Sequence, residues 1–202
     1  MRLQLRPLAQ LVGRAMSSKT ALLLLAEGAE EMEAVIAIDV LRRGGVSVTV
    51  AGLTSAEPVK CSRDVLLSPD VALADAGAVF DLVVLPGGMA GARNLAASEA
   101  VGRLLKGQEK AGRLVGAICA APVSLKSHGL FAHHALTSHP CVKDELEHAR
   151  TYKYSESRVV VDGQLVTSRG PGTAFEFALK LVELLQGADK AAAVAKPMIL
   201  PQ

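Results

Sequence analysis

Runs of consecutive apolar residues alternate along the chain with segments in which apolar residues recur every three or four positions. Thr20–Ala26 is apolar nearly throughout and predicts a buried strand, whereas Glu30–Arg43 has helical spacing and ends at Gly44-Gly45. Strands that alternate with helices predict one α/β domain built on a doubly wound, mostly parallel sheet. The same two patterns predict further strands at Val46–Ala51, Val65–Leu67, Asp81–Leu85 and Arg113–Ile118, helices at Leu95–Lys110, Ala120–Ser127, Thr173–Gln186 and Ala188–Ala195, and a hairpin of Val159–Val161 with Gln164–Thr167.

The composition agrees with buried parallel strands. Half of the 202 residues are hydrophobic, but aromatic residues make up only 3% and tryptophan is absent, so the core must be built from valine, leucine, isoleucine and alanine. A formal charge of +2 without runs of lysine and arginine argues against a nucleic-acid-binding protein. The three cysteines, an odd number without a Cys-x-x-Cys pair, argue against a disulfide framework and favour a reducing compartment.

Residues 1–17 differ in character, and we separate them as an N-terminal extension from an α/β domain at 18–202. No acidic residue precedes Glu27, and arginines recur with the spacing of one helical face. This pattern is typical of a mitochondrial presequence; the alternative is a disordered extension, with Met16 the effective start of the folded chain. The run Ala21–Ala26 is far too short to span a bilayer. The expected location is the cytoplasm, with mitochondrial and nuclear pools as further locations.

Four segments follow predicted strands at the edge of the sheet where ligands bind in such folds. They are Ala26–Glu33, Pro86-Gly87-Gly88, the turn at Cys119, and the segment 168–172. Because the carboxyl ends of parallel strands meet at one edge, we expect these segments to build the functional site. None carries the pattern of a dinucleotide-binding or phosphate-binding loop, and the sequence shows no site for a cofactor.

Cys119 is the strongest candidate nucleophile. The predicted strand Arg113–Ile118 stops at this cysteine, and small residues follow at once, as a tight strand-to-helix turn requires. Such a turn places the thiol near a helix N-terminus, so we expect its pKa to be lowered. The alternative is a buried cysteine that only fills space. The N–H groups of Gly87, Gly88 and Ala120 are candidates for an oxyanion hole, although an ordinary turn would carry the same glycines.

Carboxyl and imidazole groups near this turn are candidates for proton transfer. Glu33 can point into the pocket, where its protonated form would donate a hydrogen bond to the thiolate. Glu30 and Glu31 are expected at a helix N-terminus in any case, because they complement the helix dipole. His139 follows a further predicted strand and is a candidate pocket base. His139 lies near two other histidines and Cys141, but their spacing fits no standard zinc pattern, so we expect no metal.

The chain resembles the ThiJ/PfpI superfamily over essentially all of its length from Ser18 onward. The resemblance is specific, because several separate motifs occur in the same order. These motifs are Glu27-Gly28-Ala29-Glu30-Glu31-Met32-Glu33, Val50-Ala51-Gly52-Leu53, Lys60-Cys61-Ser62-Arg63-Asp64, Val84-Leu85-Pro86-Gly87-Gly88, Ala117-Ile118-Cys119-Ala120 and Thr167-Ser168-Arg169-Gly170-Pro171-Gly172-Thr173.

The resemblance implies a flavodoxin-like three-layer sandwich that forms a homodimer. The activities it implies are cofactor-free glyoxalase and deglycase chemistry on methylglyoxal, glyoxal and their early adducts with amines or thiols, together with oxidation sensing and a chaperone role. The residues it implies are Cys119, Glu33 and His139 as the catalytic group, Gly88 and Ala120 as backbone oxyanion donors, Arg43, Gly87 and Pro171 as pocket-lining positions, and Arg63 reaching the pocket across the dimer.

Some residues of this chain differ from the superfamily's motifs, and these differences reduce the number of activities to be expected. Protease-type members have histidine directly after the nucleophile, where this chain has Ala120, and amidotransferase relatives need a later His-x-Glu pair that does not occur after Cys119. Peptidase and amidotransferase activities are therefore not expected. Ala121 and Met89 stand where the family often has glycine and asparagine, and both differences bear on pocket shape and solvent access.

Two functional hypotheses share this site. In the first, the Cys119 thiolate attacks an aldehyde and Glu33, with His139, moves a proton between adjacent carbons. In the second, Cys119 is a redox sensor whose sulfinate is hydrogen-bonded by protonated Glu33, and Cys61 and Cys141 oxidise later. A third hypothesis, a chaperone that holds unfolded proteins, rests on the resemblance alone.

Overall fold

The computed structural model describes residues 18–148 and 150–200, so both interpretations of residues 1–17 lie outside the described residues. A seven-stranded sheet forms the centre of the domain, and two pairs of short strands lie beside it. The strands are β1 (Thr20–Leu25), β2 (Ser47–Gly52), β3 (Val59–Lys60), β4 (Leu66–Leu67), β5 (Val71–Ala72), β6 (Leu82–Leu85), β7 (Leu114–Ile118), β8 (Ala135–Leu136), β9 (Lys153–Tyr154), β10 (Val159–Asp162) and β11 (Leu165–Ser168). The helices are α1 (Glu31–Arg43), α2 (Met89–Ala97), α3 (Glu99–Lys110), α4 (Pro122–Ser127), α5 (Lys143–His148), α6 (Ala174–Gln186) and α7 (Ala188–Ala195).

The central sheet has the strand order β10-β11-β7-β6-β1-β2-β5, and every neighbouring pair is parallel except β10 with β11. Leu22 of β1 is in register with Thr49 of β2 on one side and with Val83 of β6 on the other. This position explains the continuous apolar run of β1, because helices cover both faces of a central parallel strand. The predicted α/β domain with a mostly parallel sheet is confirmed, and its layers have the flavodoxin-like arrangement.

Helices pack closely on the sheet where the strands carry small residues. α1 lies beside α6, and α2 lies beside α4. Gly116 in β7 marks a close approach of α6, because a methyl group at this position would lie 2.9 Å from the ring of Phe177. Most of the core consists of leucine, valine and alanine, as the composition predicts.

The helix predicted at Leu95–Lys110 is wrong in its bounds, because two helices, α2 and α3, cover this region. The chain is extended at Ser98 (φ −85°, ψ 114°), whose hydroxyl accepts a hydrogen bond from the Val101 N–H and caps α3. The spacing of apolar residues alone does not reveal the break at Ser98 between the two helices. Within the described residues, five strands have only two residues each, and three of them, β3, β5 and β9, were not predicted because they are too short to show a period.

Thr173 and Glu176 have the spacing of a capping box at the start of α6, but the Thr173 side chain does not cap this helix. The Thr173 hydroxyl instead accepts the N–H groups of Arg169 and Gly170 and contacts Ser168, so it fastens the loop that precedes the helix. Glu176 forms an ion pair with Arg158. The tertiary contacts of both side chains therefore override the local helix signal.

The topology reverses direction at the centre of the sheet. The chain passes from β1 outward to β2 on one side, and from β6 outward to β7 on the other. Such a reversal leaves a crevice at the carboxyl ends of the two central strands, where ligands bind in open α/β sheets. The segments that follow β1, β6 and β7 therefore converge at one place, as the sequence predicts.

Candidate active site

Cys119 occupies a tight turn immediately after β7. Its backbone has φ +65°, a left-handed conformation that is uncommon for residues other than glycine. The turn is closed by a hydrogen bond from the Ala121 N–H to the Ile118 carbonyl (3.0 Å), and the Cys119 N–H is fixed on the Ser168 carbonyl (2.9 Å). The side chain is 8% exposed. Strained turns that present one side chain to a crevice are typical of nucleophiles at the end of a strand.

Glu33 lies in the first turn of α1 and is completely buried. Glu30 caps this helix, because its carboxylate accepts the Glu33 N–H (2.8 Å). The Glu33 Oε2 accepts a hydrogen bond from the Gly87 N–H (2.7 Å), and Oε1 has no hydrogen-bond partner within the described residues. The carboxyl also interacts directly with the Cys119 thiol. Glu33 and Cys119 are therefore neighbours, as predicted.

Gly87 allows the close approach of these two side chains. A methyl group on Gly87 would lie 2.5 Å from the Cys119 Cβ and 2.8 Å from the Glu33 Oε2. Gly88 has φ +79°, and a methyl group there would lie 2.2 Å from the Gly28 carbonyl oxygen. No other residue fits either position without moving backbone. Gly87 thus lies between the side chains of Cys119 and Glu33, as its predicted pocket position requires. Its N–H already donates to the Glu33 carboxyl, so it is not free to stabilise an oxyanion.

Burial governs the protonation of the pair. It raises the pKa of Glu33 from 4.5 to about 7, against the opposing effects of the Gly87 and Cys119 hydrogen bonds. Burial also raises the pKa of the Cys119 thiol, and the adjacent Glu33 charge raises it further. The expectation that the turn alone lowers this pKa is therefore wrong. The N–H groups of Gly88 and Ala120 do interact favourably with the sulfur, but they are outweighed.

The protonation state of Glu33 decides whether the Cys119 thiolate can form. Two negative charges in one buried site repel each other, so the pair carries at most one negative charge near neutral pH. A proton on the Glu33 carboxyl removes the repulsion and supplies a hydrogen-bond donor to the sulfur. The Gly88 and Ala120 N–H groups then stabilise the thiolate, or an oxyanion formed next to it.

His139 is joined to the nucleophile through the backbone. Its N–H donates to the Cys119 carbonyl (2.9 Å), and its ring Nδ1 accepts the Cys141 N–H (3.2 Å). In the neutral ring the proton is therefore on Nε2. The ring and Pro171 both line a groove of about 390 Å³ that also includes Glu156 and Arg169. His139 and Pro171 thus share one groove, but its lining does not include Cys119 or Glu33, so their place in the Cys119 pocket stays a prediction.

The two predicted arginines lie apart from Cys119 in this protomer. Arg43 is ten residues from Glu33 in α1, about 15 Å along the helix axis, and pairs with Asp39 (2.6 Å). Arg43 therefore does not line the Cys119 site within its own protomer, and its pocket-lining role stays a prediction. Arg63 is exposed in the loop between β3 and β4, where its N–H donates to Glu31 (2.8 Å) and its guanidinium to the Ser62 carbonyl (3.0 Å). Its approach across a dimer stays a prediction.

Several residues around the site were missed from the sequence. The Glu31 carboxylate is buried and holds the β3–β4 loop through Ser62 and Arg63, although its position also suits a simple helix-dipole role. Arg93 and Glu145 join α2 to α5. Only contacts between distant segments identify these pairs. Among residues 18–148 and 150–200, no three metal-ligating side chains cluster, and no helix combines the length and apolarity that a membrane span requires.

Comparisons with known proteins agree with this geometry. Residues 19–184 match the sequence profile described as the DJ-1/PfpI family. The chain is 54% identical over 187 residues to the Parkinson disease protein 7 homolog of Danio rerio, which covers 92% of this chain and 99% of that protein. It is 47% identical over 186 residues to glutathione-independent glyoxalase DJR-1.2 of Caenorhabditis elegans, and the match covers 91% of this chain and 98% of that protein. The crystal structure of Drosophila melanogaster DJ-1beta superposes with a TM-score of 0.89 at 53% identity, covering 92% of this chain and all of that one.

Proposed function

The chain belongs to the DJ-1/PfpI family, and we propose that it is a cofactor-free glyoxalase with Cys119 as the nucleophile. The observation that carries this proposal is the contact between Cys119 and Glu33 in a buried site. A thiol, a carboxyl group with a pKa of about 7 and two N–H groups at the sulfur are the parts that aldehyde addition requires. The name of the Caenorhabditis elegans relative supports the same chemistry.

The reaction begins with addition to the aldehyde of methylglyoxal. Glu33 takes the proton of the Cys119 thiol, and the sulfur forms a bond to the aldehyde carbon. The electron pair of the C=O bond moves to oxygen, where the N–H groups of Gly88 and Ala120 stabilise the oxyanion. Glu33 returns its proton to this oxygen, and the product is a hemithioacetal.

A proton then moves between the two carbons of the adduct. The Glu33 carboxylate removes the hydrogen of the former aldehyde carbon, giving an enediol, and the proton is delivered to the neighbouring carbon. We assign to His139, whose Nε2 carries a proton in the neutral ring, the protonation of the ketone oxygen. The hydroxyl proton on the former aldehyde carbon then returns to His139 as this carbon becomes the carbonyl of the thioester. The result is a lactoyl thioester on Cys119. One water hydrolyses it to lactate and restores the thiol, so no external electron donor or acceptor is needed.

Deglycation uses the same site. In an early adduct of methylglyoxal with an amine or thiol, the Cys119 sulfur displaces the amine or thiol from the former aldehyde carbon. The leaving group takes the proton that Glu33 received from Cys119. The hemithioacetal that remains is the one described above, so both substrate classes converge on one thioester. Small dicarbonyl compounds and their adducts are therefore the proposed substrates.

A homodimer is part of the proposal. Met32 and Val35 on α1 and Leu66 on β4 are all more than 45% exposed, although their side chains are large and apolar. They lie close together, because Glu31 at the start of α1 accepts the backbone N–H of Val65 next to Leu66. Patches of this kind mark interaction sites. A second copy on this patch would lie beside Arg63, the residue expected to reach across the dimer.

A redox sensor is the second candidate function. The Glu33 Oε1 favours it, because this atom has no hydrogen-bond partner among the described residues and a protonated carboxyl beside Cys119 can donate to an oxidised sulfur. Two equivalents of a hydroperoxide would carry the thiolate through sulfenate to sulfinate, each releasing an alcohol or water. The sulfinate would be stabilised by Glu33 and by the N–H groups of Gly88 and Ala120.

The test of the glyoxalase proposal is the proton step in D₂O. Glu33→Gln keeps an acceptor for the Gly87 N–H but cannot move a proton, so lactate formation from methylglyoxal should fall by a factor of about 10² to 10⁴. The lactate formed by the unmodified protein should carry deuterium at C2. Asp39→Asn, on the same helix, is the control and should keep full activity. Turnover by Glu33→Gln equal to that of the control would reject the mechanism.

A further inference from the structure

Three of the groups that we place around the substrate, the Gly88 and Ala120 N–H groups and the His139 ring, come shortly before a helix. Gly88 is the N-cap of α2, and Ala120 precedes α4, which begins at Pro122. His139 leads through one turn of 3₁₀ helix, Pro140–Val142, into α5. The positions of the two N–H donors and of the imidazole therefore depend on how these three helices are held relative to one another.

One carboxylate joins the three helices. Glu145 on α5 accepts Arg93 of α2 at both oxygens, with a distance of 3.0 Å from Nη1 to Oε1, and Arg93 Nη2 bonds Oε2. The same Oε1 accepts Lys126 Nζ of α4 at 3.3 Å. The Glu145 side chain is 29% exposed and that of Lys126 34%, so this contact, which we call the Glu145 clamp, is partly shielded from water.

The chemistry of the Glu145 clamp suits a rigid connection. A carboxylate bound by both arms of a guanidinium is fixed in direction as well as in distance, unlike an ordinary surface ion pair. Hydrogen bonds from Arg93 and then Lys126 lower the pKa of Glu145 to about 2, so the clamp remains charged at every pH used for assays. α2 and α4 are also joined by the Ser124 hydroxyl on the Ala92 carbonyl (3.1 Å), which does not involve α5.

We propose that Glu145 is a positioning residue that holds the Gly88 and Ala120 N–H groups and His139 in register around the Cys119 sulfur. Glu145 touches no reacting atom, and it acts through the helices that it joins. The proposal rests on the proposed function for its effect on turnover. Oxyanion donors contribute only when they are aimed within a few tenths of an ångström, and a displacement of about 1 Å can cost about 10²-fold in rate.

The experiment compares Glu145→Gln, Arg93→Gln and their double variant with Arg42→Gln. Arg42 is a matched control, because its side chain is 51% exposed against 49% for Arg93 and it also forms an ion pair, with Asp70. Each clamp variant should lose about tenfold or more in kcat for lactate formation, with little change in KM. The double variant should lose no more than either single variant, because the two residues act as one unit. Arg42→Gln should keep full kcat.

A second readout separates this proposal from the glyoxalase proposal. The rate of Cys119 alkylation by iodoacetamide, followed against pH by mass spectrometry of the Cys119 peptide, reports how well Gly88 and Ala120 stabilise the thiolate. Clamp variants should shift this profile to higher pH, and Arg42→Gln should leave it unchanged, whether or not the protein makes lactate. Clamp variants that fold, as judged by circular dichroism, and that keep both the alkylation profile and kcat would overturn the proposal. A lowered Tm with an unchanged profile would mean a purely structural role and would also overturn it.

Discussion

The Glu33 carboxyl and the Cys119 thiol lie side by side in a buried site, and Gly87 leaves no room for a side chain between them. A methyl group on Gly87 would be 2.5 Å from the Cys119 Cβ and 2.8 Å from the Glu33 Oε2, while its N–H donates to that same oxygen. Three separate loops, which follow β6, β7 and β1, are thus packed at contact distance. The chemistry of the site depends on the contact that Glu33, Cys119 and Gly87 make here.

Gly87→Ala should therefore damage both folding and reactivity. The added methyl group must displace Cys119 or Glu33, and overpacking of this kind costs about 1–3 kcal/mol in the free energy of unfolding. Gly107→Ala is the control, because its methyl group meets no atom within 4 Å on α3 and alanine favours a helix by about 1 kcal/mol. Urea denaturation and lactate assays of both variants check this. A Gly87→Ala protein as stable and active as the unmodified one would show that the loops are not tightly packed.

Glu33 should make the protein less stable as the pH rises. Its pKa is about 7 in the folded state against an ordinary 4.5, so between these pH values the folded protein holds a proton that the unfolded chain releases. Folding stability contributed by protonated Glu33 is complete below pH 4.5 and is lost by pH 7. The difference of about 2.5 pKa units corresponds to at most about 3 kcal/mol.

Glu33→Gln removes this pH dependence. Relative to the unmodified protein, the variant should gain up to about 3 kcal/mol in unfolding free energy between pH 4 and pH 8, because glutamine cannot ionise. Denaturant titrations of both proteins at several pH values measure the difference. Stability curves that stay parallel from pH 4 to pH 8 would mean that Glu33 is not held protonated by burial.

The three cysteines should react with a neutral alkylating agent in the order of their accessibility. Cys141 is exposed and should be modified first, whereas Cys61 is buried with a pKa raised to about 11 and should be modified last. Cys119 should fall between them, because it is 8% exposed and forms its thiolate only with the proton on Glu33. Timed iodoacetamide labelling with peptide mass spectrometry gives the order. Cys61 reacting ahead of Cys141 would contradict the burial of Cys61.

The proposed dimer should depend on the apolar patch beside α1. Leu66→Glu places a charge on a residue that is 64% exposed in one protomer, and it should shift the protein to monomer in sedimentation velocity. Val79→Glu is the control, because Val79 is 71% exposed but lies outside this patch. A Leu66→Glu protein with the same sedimentation coefficient as the control would remove this patch as the contact surface.

Long apolar runs were enough to predict the main strands of the sheet, but not the order in which they pair. β1, β2, β6, β7 and the β10–β11 hairpin were found because each is buried or ends at a glycine-rich turn. The two-residue strands β3, β5 and β9 were missed because they are fixed by contacts with distant segments. The break at Ser98 was missed for a similar reason, because the apolar positions of α2 and α3 continue on either side of it.

Local patterns were also enough to find Cys119, Glu33 and the glycines between them, since each ends a strand or begins a helix. The same patterns were not enough to predict the pKa of the Cys119 thiol. A helix N-terminus suggested a lowered thiol pKa, but the buried Glu33 next to the sulfur reverses the direction. The resemblance implied a pocket position for Arg43, but the helix that begins beside the site ends at Arg43, which pairs there with Asp39 in this protomer.

The most direct test of Cys119 catalysis is lactate formation from methylglyoxal in a buffer free of amines and thiols. The purified protein is compared with Cys119→Ala, and lactate is measured alongside the loss of methylglyoxal. Lactate that forms in proportion to the methylglyoxal consumed, and only when Cys119 is present, is the expected result. Methylglyoxal that disappears equally in both proteins without lactate would mean scavenging by surface side chains, and would contradict catalysis at Cys119.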